Sequence, residues 1–201
     1  MTTAIQMVDW TLVLDNGFAL AMQILIASEG STLSTTPNDA GNWTGGVVGK
    51  GKLVGSKYGI SAAAYPTVDI PSLTLDAATQ IYIRDYAMPI QFSVMPTLLG
   101  TLVFDAAVNN GPTQAVKWLQ NMLPVPSDGI FGTVTATALS AYIAGSSANV
   151  LELCAIFSRQ RLTMETSLAK WSSNTGWHKR LAYLPYRVIG ALTLPTKSAM
   201  V

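Results

Sequence analysis

Histidine, cysteine and charge are all scarce in this 201-residue chain. Each scarcity closes a route. Cys154 is the only cysteine, so there is no internal disulfide and no paired-cysteine metal motif. His178 is the only histidine, which rules out a histidine-rich zinc site and argues against a Ser-His-Asp triad. Any catalysis is therefore left to carboxylates, with no metal and no cofactor expected. Charged residues make up 11% of the chain against 49% hydrophobic ones, a balance that excludes disorder and implies a well-filled core. The opening stretch MTTAIQMVDW has no basic region leading into an apolar run, so a conventional secretion signal is not expected. The longest nearly unbroken apolar run, Phe18 to Ala27, carries Gln23 and falls far short of the ~20 residues a membrane span needs. The chain reads as soluble when made, in the cytoplasm, without stable membrane insertion.

The net charge of +1 favours no particular partner, and nothing points to nucleic acid. Its distribution is less even. Residues 1–149 hold nine acids against five Lys and Arg, net −4, while residues 150–201 hold seven bases against Glu152 and Glu165, net +5. A basic C-terminal quarter suits contact with an anionic polymer, and equally suits a solvated helix face.

Periodicity and capping signals predict a mostly α chain with one small antiparallel β flap near the N-terminus. Asp15 or Asn16 is positioned to cap a helix running to Glu29. GNWTGGVVGKGKLVGSKYGIS alternates glycine with Val, Leu, Tyr and Ile, and reads as a hairpin or three-stranded flap turning near Lys50-Gly51. SAAAYP gives a short helical turn that Pro66 stops. Beyond Pro71 the chain reads as helices. Thr74 caps one to about Met88, with Leu75, Ala78, Ile81 and Tyr82 inward. Pro96 opens one to Asn109, and Pro112 takes the first position of the next, with Val116, Leu119 and Leu123 as its stripe. Thr133 starts another. A long helix is expected over about 148–171 with Leu151, Cys154 or Ala155, and Leu162 inward, and NTGWHKR leads into a last one before Pro195. The whole is expected as one domain over 10–195, with 10–100 holding the first helix and flap and 101–195 the helical remainder.

Glu29 ends the most apolar helix. A negative charge there meets the negative end of the helix dipole, and burial against Leu25 and Met22 would add desolvation. Both effects favour a protonated carboxyl, the state a general acid needs. Pairing with Arg84 or Arg180 is the structural alternative. Asp39 and Thr44 follow in a polar turn-forming loop, where a carboxylate stays solvated and ionised, although Asn38-Asp39 is also an ordinary turn former. Trp43 offers an exposed ring face, or a hydrophobic anchor for the glycine-rich loop. Asp105 and Asn109 share a helix face, as a cleft wall or as a buried hydrogen-bonded pair. DGIFG is a turn in which Asp128 bonds backbone amides.

The order of EG, PNDAGNWTGG and KYGIS resembles glycoside hydrolase family 108, the lysozyme-like N-acetylmuramidases. LTLDAATQIYIRDY, FDAAVNNGPTQAVKWLQ and DGIFGTVTATAL continue the resemblance, the last two being similar to the family's peptidoglycan-binding-like region. GWHKR matches its closing G-W-x-x-R, so the resemblance runs from about residue 16 to 182. Ser31 and Thr32 stand where the family usually has a second glycine and a tyrosine, Ala40 where it often has proline, and the stretch from Thr44 to Tyr58 is longer than in short members. The resemblance implies a lysozyme-like α+β fold and a monomeric peptidoglycan muramidase of endolysin type acting on the cell wall after release. It makes Glu29 the catalytic acid, with Asp39 and Thr44 across the cleft, Tyr58, Gly59 and Ile60 building the strand beside it, and Asn109 facing the sugar from the opposite wall. Trp43, whose ring could stack on a sugar, and Tyr58 stand with Asn109 as candidate substrate contacts. Rival readings are a lytic transglycosylase, which needs no activated water, a non-catalytic peptidoglycan-binding protein, and a structural virion component.

Overall fold

Glycine sets the end of the first helix. In the computed structural model, which describes residues 17–167 and 175–193, α1 spans Ala19–Glu29. Gly30 adopts a left-handed backbone, φ 84°, and its N–H donates to the Ile26 carbonyl at 2.9 Å. This closes the last turn and stops the helix where EG predicts. Phe18, Ala21, Met22 and Leu25 are buried at three- and four-residue intervals, while Gln23 and Ala27 are exposed. The expected cap at Asp15 or Asn16 lies outside the described residues.

The chain divides into two units, one of residues 22–85 and one of residues 86 onward joined by those before 22. In the first, β1 (Ser56–Lys57) pairs antiparallel with β2 (Ile60–Ser61). Ser34 bridges the other edge of β1 at Ser56, and Trp43 bridges Leu53. The chain between reverses by bonds from Gly45 N–H to the Lys50 carbonyl (3.2 Å) and from Lys50 N–H to the Val47 carbonyl (3.0 Å). The flap is therefore present, turning beside Lys50-Gly51 as the glycine spacing predicts. The unit ends with α2, Leu75–Tyr82, capped by the Thr74 hydroxyl accepting from Ala77 N–H, and continuing into a π-helical turn over Ile83–Ala87. Ala78, Ile81 and Tyr82 face inward as expected, but Leu75, the helix's first residue, is exposed.

The second unit is built on α3, Thr97–Asn110, buried continuously from Leu99 to Ala107. A continuous run of buried positions identifies a central helix. It packs against α4 (Pro112–Gln120), α6 (Ser147–Thr166) and α7 (Thr175–Thr193), while α5 (Thr133–Ala144) packs on α6. Phe18, Phe92 and Phe104 meet edge to face, with centroids 5.3 to 6.1 Å apart, the geometry their ring quadrupoles prefer.

The inner face of α6 differs from expectation. It is Leu153, Cys154, Phe157, Arg161 and Glu165, whereas Leu151, Ala155 and Leu162 are exposed. The reason is ionic. Arg161 bonds Asp105 of α3 at 2.6 Å and Glu165 at 2.7 Å, and Arg180 of α7 bonds Asp105 at 2.7 Å. Paired charges are buried here, so a stripe drawn from apolar residues alone is rotated off the true face. Residues 168–174, with the expected helix end at Trp171, and the tail at Pro195 lie outside the described residues. GWHKR lies inside α7 instead of leading into it. No helix among the described residues is long and apolar enough to cross a membrane.

Candidate active site

Three residues of the 22–85 unit, Tyr58, Gly59 and Tyr82, converge behind Glu29. The β1–β2 register pairs Lys57 with Ile60, which makes Tyr58 and Gly59 a two-residue turn where one continuous strand was expected. Both have positive φ, 54° and 77°, the pattern of a type I′ hairpin. A methyl group at Gly59 would lie 3.0 Å from Cγ of Glu29 and would collide with the Tyr82 hydroxyl. Glycine is thus required there twice, for backbone and for space. The stem of Glu29 lies directly on the turn, so the end of α1 and the tip of the hairpin form one surface.

Glu29 itself is exposed, which corrects the expectation of a carboxyl buried against Leu25 and Met22. Its Cβ and Cγ lie against the turn at Gly59. Arg84 and Arg180 each bond an aspartate. Arg84 grips Asp85 through Nε and Nη2 at 2.6 and 2.7 Å, and Arg180 bonds Asp105. The Arg84 guanidinium, with a 2.9 Å bond from the Tyr65 hydroxyl, holds the Asp85 carboxyl below its ordinary range, against a smaller opposing effect of burial.

Asp39 is exposed and caps the short 3-10 turn Ala40–Asn42, its Oδ1 accepting from Gly41 N–H at 2.9 Å. Thr44 is half-buried, and its hydroxyl oxygen accepts from Lys52 N–H at 2.9 Å. It therefore braces the flap, with its own O–H still able to donate. Trp43 donates its indole N–H to the Pro37 carbonyl at 2.8 Å, and the residue is half-buried. Asn42, which sequence reasoning did not single out, is fully buried and organises the loop. Its side-chain amide N–H donates to the Thr36 carbonyl, and its main-chain carbonyl accepts from Val54 and Gly55 N–H. Fixed in this way, the loop also bonds the segment after β2 through Ala62 N–H to Gly55 and Ala63 N–H to Gly41, both at 3.0 Å. Asp39 and Thr44 thus ride on the sheet whose turn carries Glu29's neighbours.

Asn109 belongs to the helical unit. Its amide donates to the Asp105 carbonyl at 2.6 Å and more weakly to Oδ2 at 3.4 Å, so the hydrogen-bonded pair is formed. Asp128 accepts from Ile130 N–H and from Gln120, and both bonds hold its carboxyl below the ordinary range. Gln120, buried and unnoticed in the sequence, ties DGIFG together through Asp128, Gly129, Ile130 and Thr135. The side chains of Trp177 and His178 lie outside those described.

A family model described as Glycosyl hydrolase 108 matches residues 22–111. The matched stretch contains Glu29, Asp39, Trp43, Thr44, Tyr58 and Asn109, and ends before DGIFG. Among solved structures, SagA from Brucella abortus is similar at 25% identity with a TM-score of 0.66, covering 86% of this chain and 93% of that one. No protein of curated function matches the chain.

Proposed function

We propose that the protein is a peptidoglycan hydrolase of muramidase type, cleaving the β-1,4 bond that follows N-acetylmuramic acid, with Glu29 as general acid. The observation that carries the reading is the seat of Glu29. It is an exposed residue at a capped helix end, with its stem braced by the Tyr58-Gly59 turn, inside a stretch matching a glycosyl hydrolase family. Glu29 donates a proton to the glycosidic oxygen as positive charge develops on the sugar ring. The bound glycan excludes water from around the transferred proton.

Asp39, a solvated carboxylate held by the Gly41 amide, stabilises the cationic ring or activates the attacking water. Thr44 has its oxygen lone pair on Lys52 N–H and orients that water by donating its hydroxyl proton. Trp43 presents its ring, Tyr58 its side chain from the turn and Asn109 its amide oxygen as sugar contacts. The protein acts as a monomer on the wall after release from the cytoplasm.

Dye release from labelled, purified peptidoglycan tests this assignment. Glu29→Gln removes the donated proton at constant shape, and the rate falls by about 10²- to 10⁴-fold. Asp39→Asn lowers it by a smaller factor. Activity of Glu29→Gln within a few-fold of the wild type would end the assignment of Glu29.

A further inference from the structure

Tyr58 and Gln91 are the two non-glycine residues with positive φ among those described. An aromatic side chain is poorly suited to that region, and the hairpin turn it occupies favours asparagine before glycine. A strained backbone persists only where its surroundings hold it. Here the holder is Tyr82, the last residue of α2, with 1% of its surface exposed. Its hydroxyl donates to the Tyr58 carbonyl at 2.9 Å. The same hydroxyl and the Glu29 stem together occupy the space a side chain at Gly59 would take. Phenol, turn backbone and carboxylate stem are thus packed as one contact.

We propose that Tyr82 is a positioning residue for Glu29. Its phenol pins the left-handed Tyr58-Gly59 turn, and the pinned turn is the wall that limits where the Glu29 carboxyl points. The inference rests on the reading of Glu29 as the general acid. Without the hydroxyl, the turn relaxes toward ordinary backbone geometry, and Glu29 spends less time aligned with the bond it protonates.

The test uses Tyr82→Phe, which keeps the buried ring and deletes only the oxygen, with kinetics on soluble glycan fragments and amide exchange read in parallel. The expected result is a kcat lower by about tenfold with KM within about twofold, because misalignment costs rate more than binding. Faster exchange at Gly59 and Ile60 accompanies it. The same change is then made in Tyr58→Asn, where the new residue tolerates the left-handed conformation. There the deletion costs much less, since the turn no longer needs pinning.

A wild-type kcat in Tyr82→Phe, an equal loss in both backgrounds, or lost activity with unchanged exchange would each overturn the proposal. So would failure of Tyr82→Phe to fold, which would make the hydroxyl a stability element. Glu29→Gln is assayed alongside. If it stays active, the general-acid reading falls, and the positioning role falls with it. If it is inactive while Tyr82→Phe keeps its full kcat, only the positioning role is lost.

Discussion

As the proposed general acid, Glu29 faces two requirements that pull apart, a held stem for orientation and an accessible side chain for substrate. The Gly30 cap and the Gly59 contact satisfy the first, and exposure satisfies the second. The cap was legible in the sequence because EG after an apolar run is a local signal. The exposure was not, because whether a helix-end carboxyl lies over or beside the apolar face depends on packing from distant residues. Thr74 and Pro112 were legible for the same local reason, whereas Asn42 and Gln120 act through partners up to 15 residues away. Cys154 gives a direct test at this scale. Burial pushes its thiol up to about 12, while an unfolded thiol ionises near pH ~8.5. The folded thiol stays protonated where the unfolded one is charged, so stability falls as the pH rises from ~9. Thiol-specific reagents at pH 8 should label Cys154 only under denaturing conditions. Rapid labelling of the native protein would contradict its burial.

At the scale of elements, α6 shows where hydrophobic periodicity fails. Its inward face carries Arg161 and Glu165, with side chains 4% and 2% exposed and paired with each other and with Asp105. The apolar stripe through Leu151 and Leu162 is exposed instead. Periodicity sorts residues by transfer cost, and a charge that brings its counter-charge inside escapes that sorting. Arg161→Leu is predicted to lower unfolding stability by about 3–5 kcal/mol, because it leaves buried carboxylates short of a partner. Urea denaturation measures this, and a loss near zero would mean that the network is energetically idle. The π-helical turn Ile83–Ala87 carries Asp85, which Arg84 and Tyr65 hold below the ordinary carboxylate range. A lowered carboxyl contributes stability above its unfolded value near pH ~3.9 and loses it as the pH falls through the folded value. Asp85→Asn should therefore flatten the acid limb of the stability curve. An unchanged acid limb would contradict the ion pair's contribution.

Across the whole molecule, the fold class was the most legible feature. A helical chain with one small antiparallel flap follows from glycine spacing, proline positions and the 3.6-residue period, and the two-stranded sheet and helices agree. The chemistry is less evenly spread. The 22–85 unit holds Glu29, Asp39, Trp43, Thr44 and Tyr58, while the helical unit holds Asn109 and the Asp105–Arg161–Glu165–Arg180 network. The family match covers the first set and reaches into α3, and the likeness to SagA extends over 86% of the chain. The central claim is hydrolysis of a glycan through Glu29. Mass spectrometry of peptidoglycan fragments produced by the wild type and by Glu29→Gln tests it most directly. The account predicts hydrated reducing-end N-acetylmuramic acid from the wild type and intact glycan from the variant. Anhydro ends would replace hydrolysis with transglycosylation, and the same products from both proteins would remove Glu29 from the chemistry.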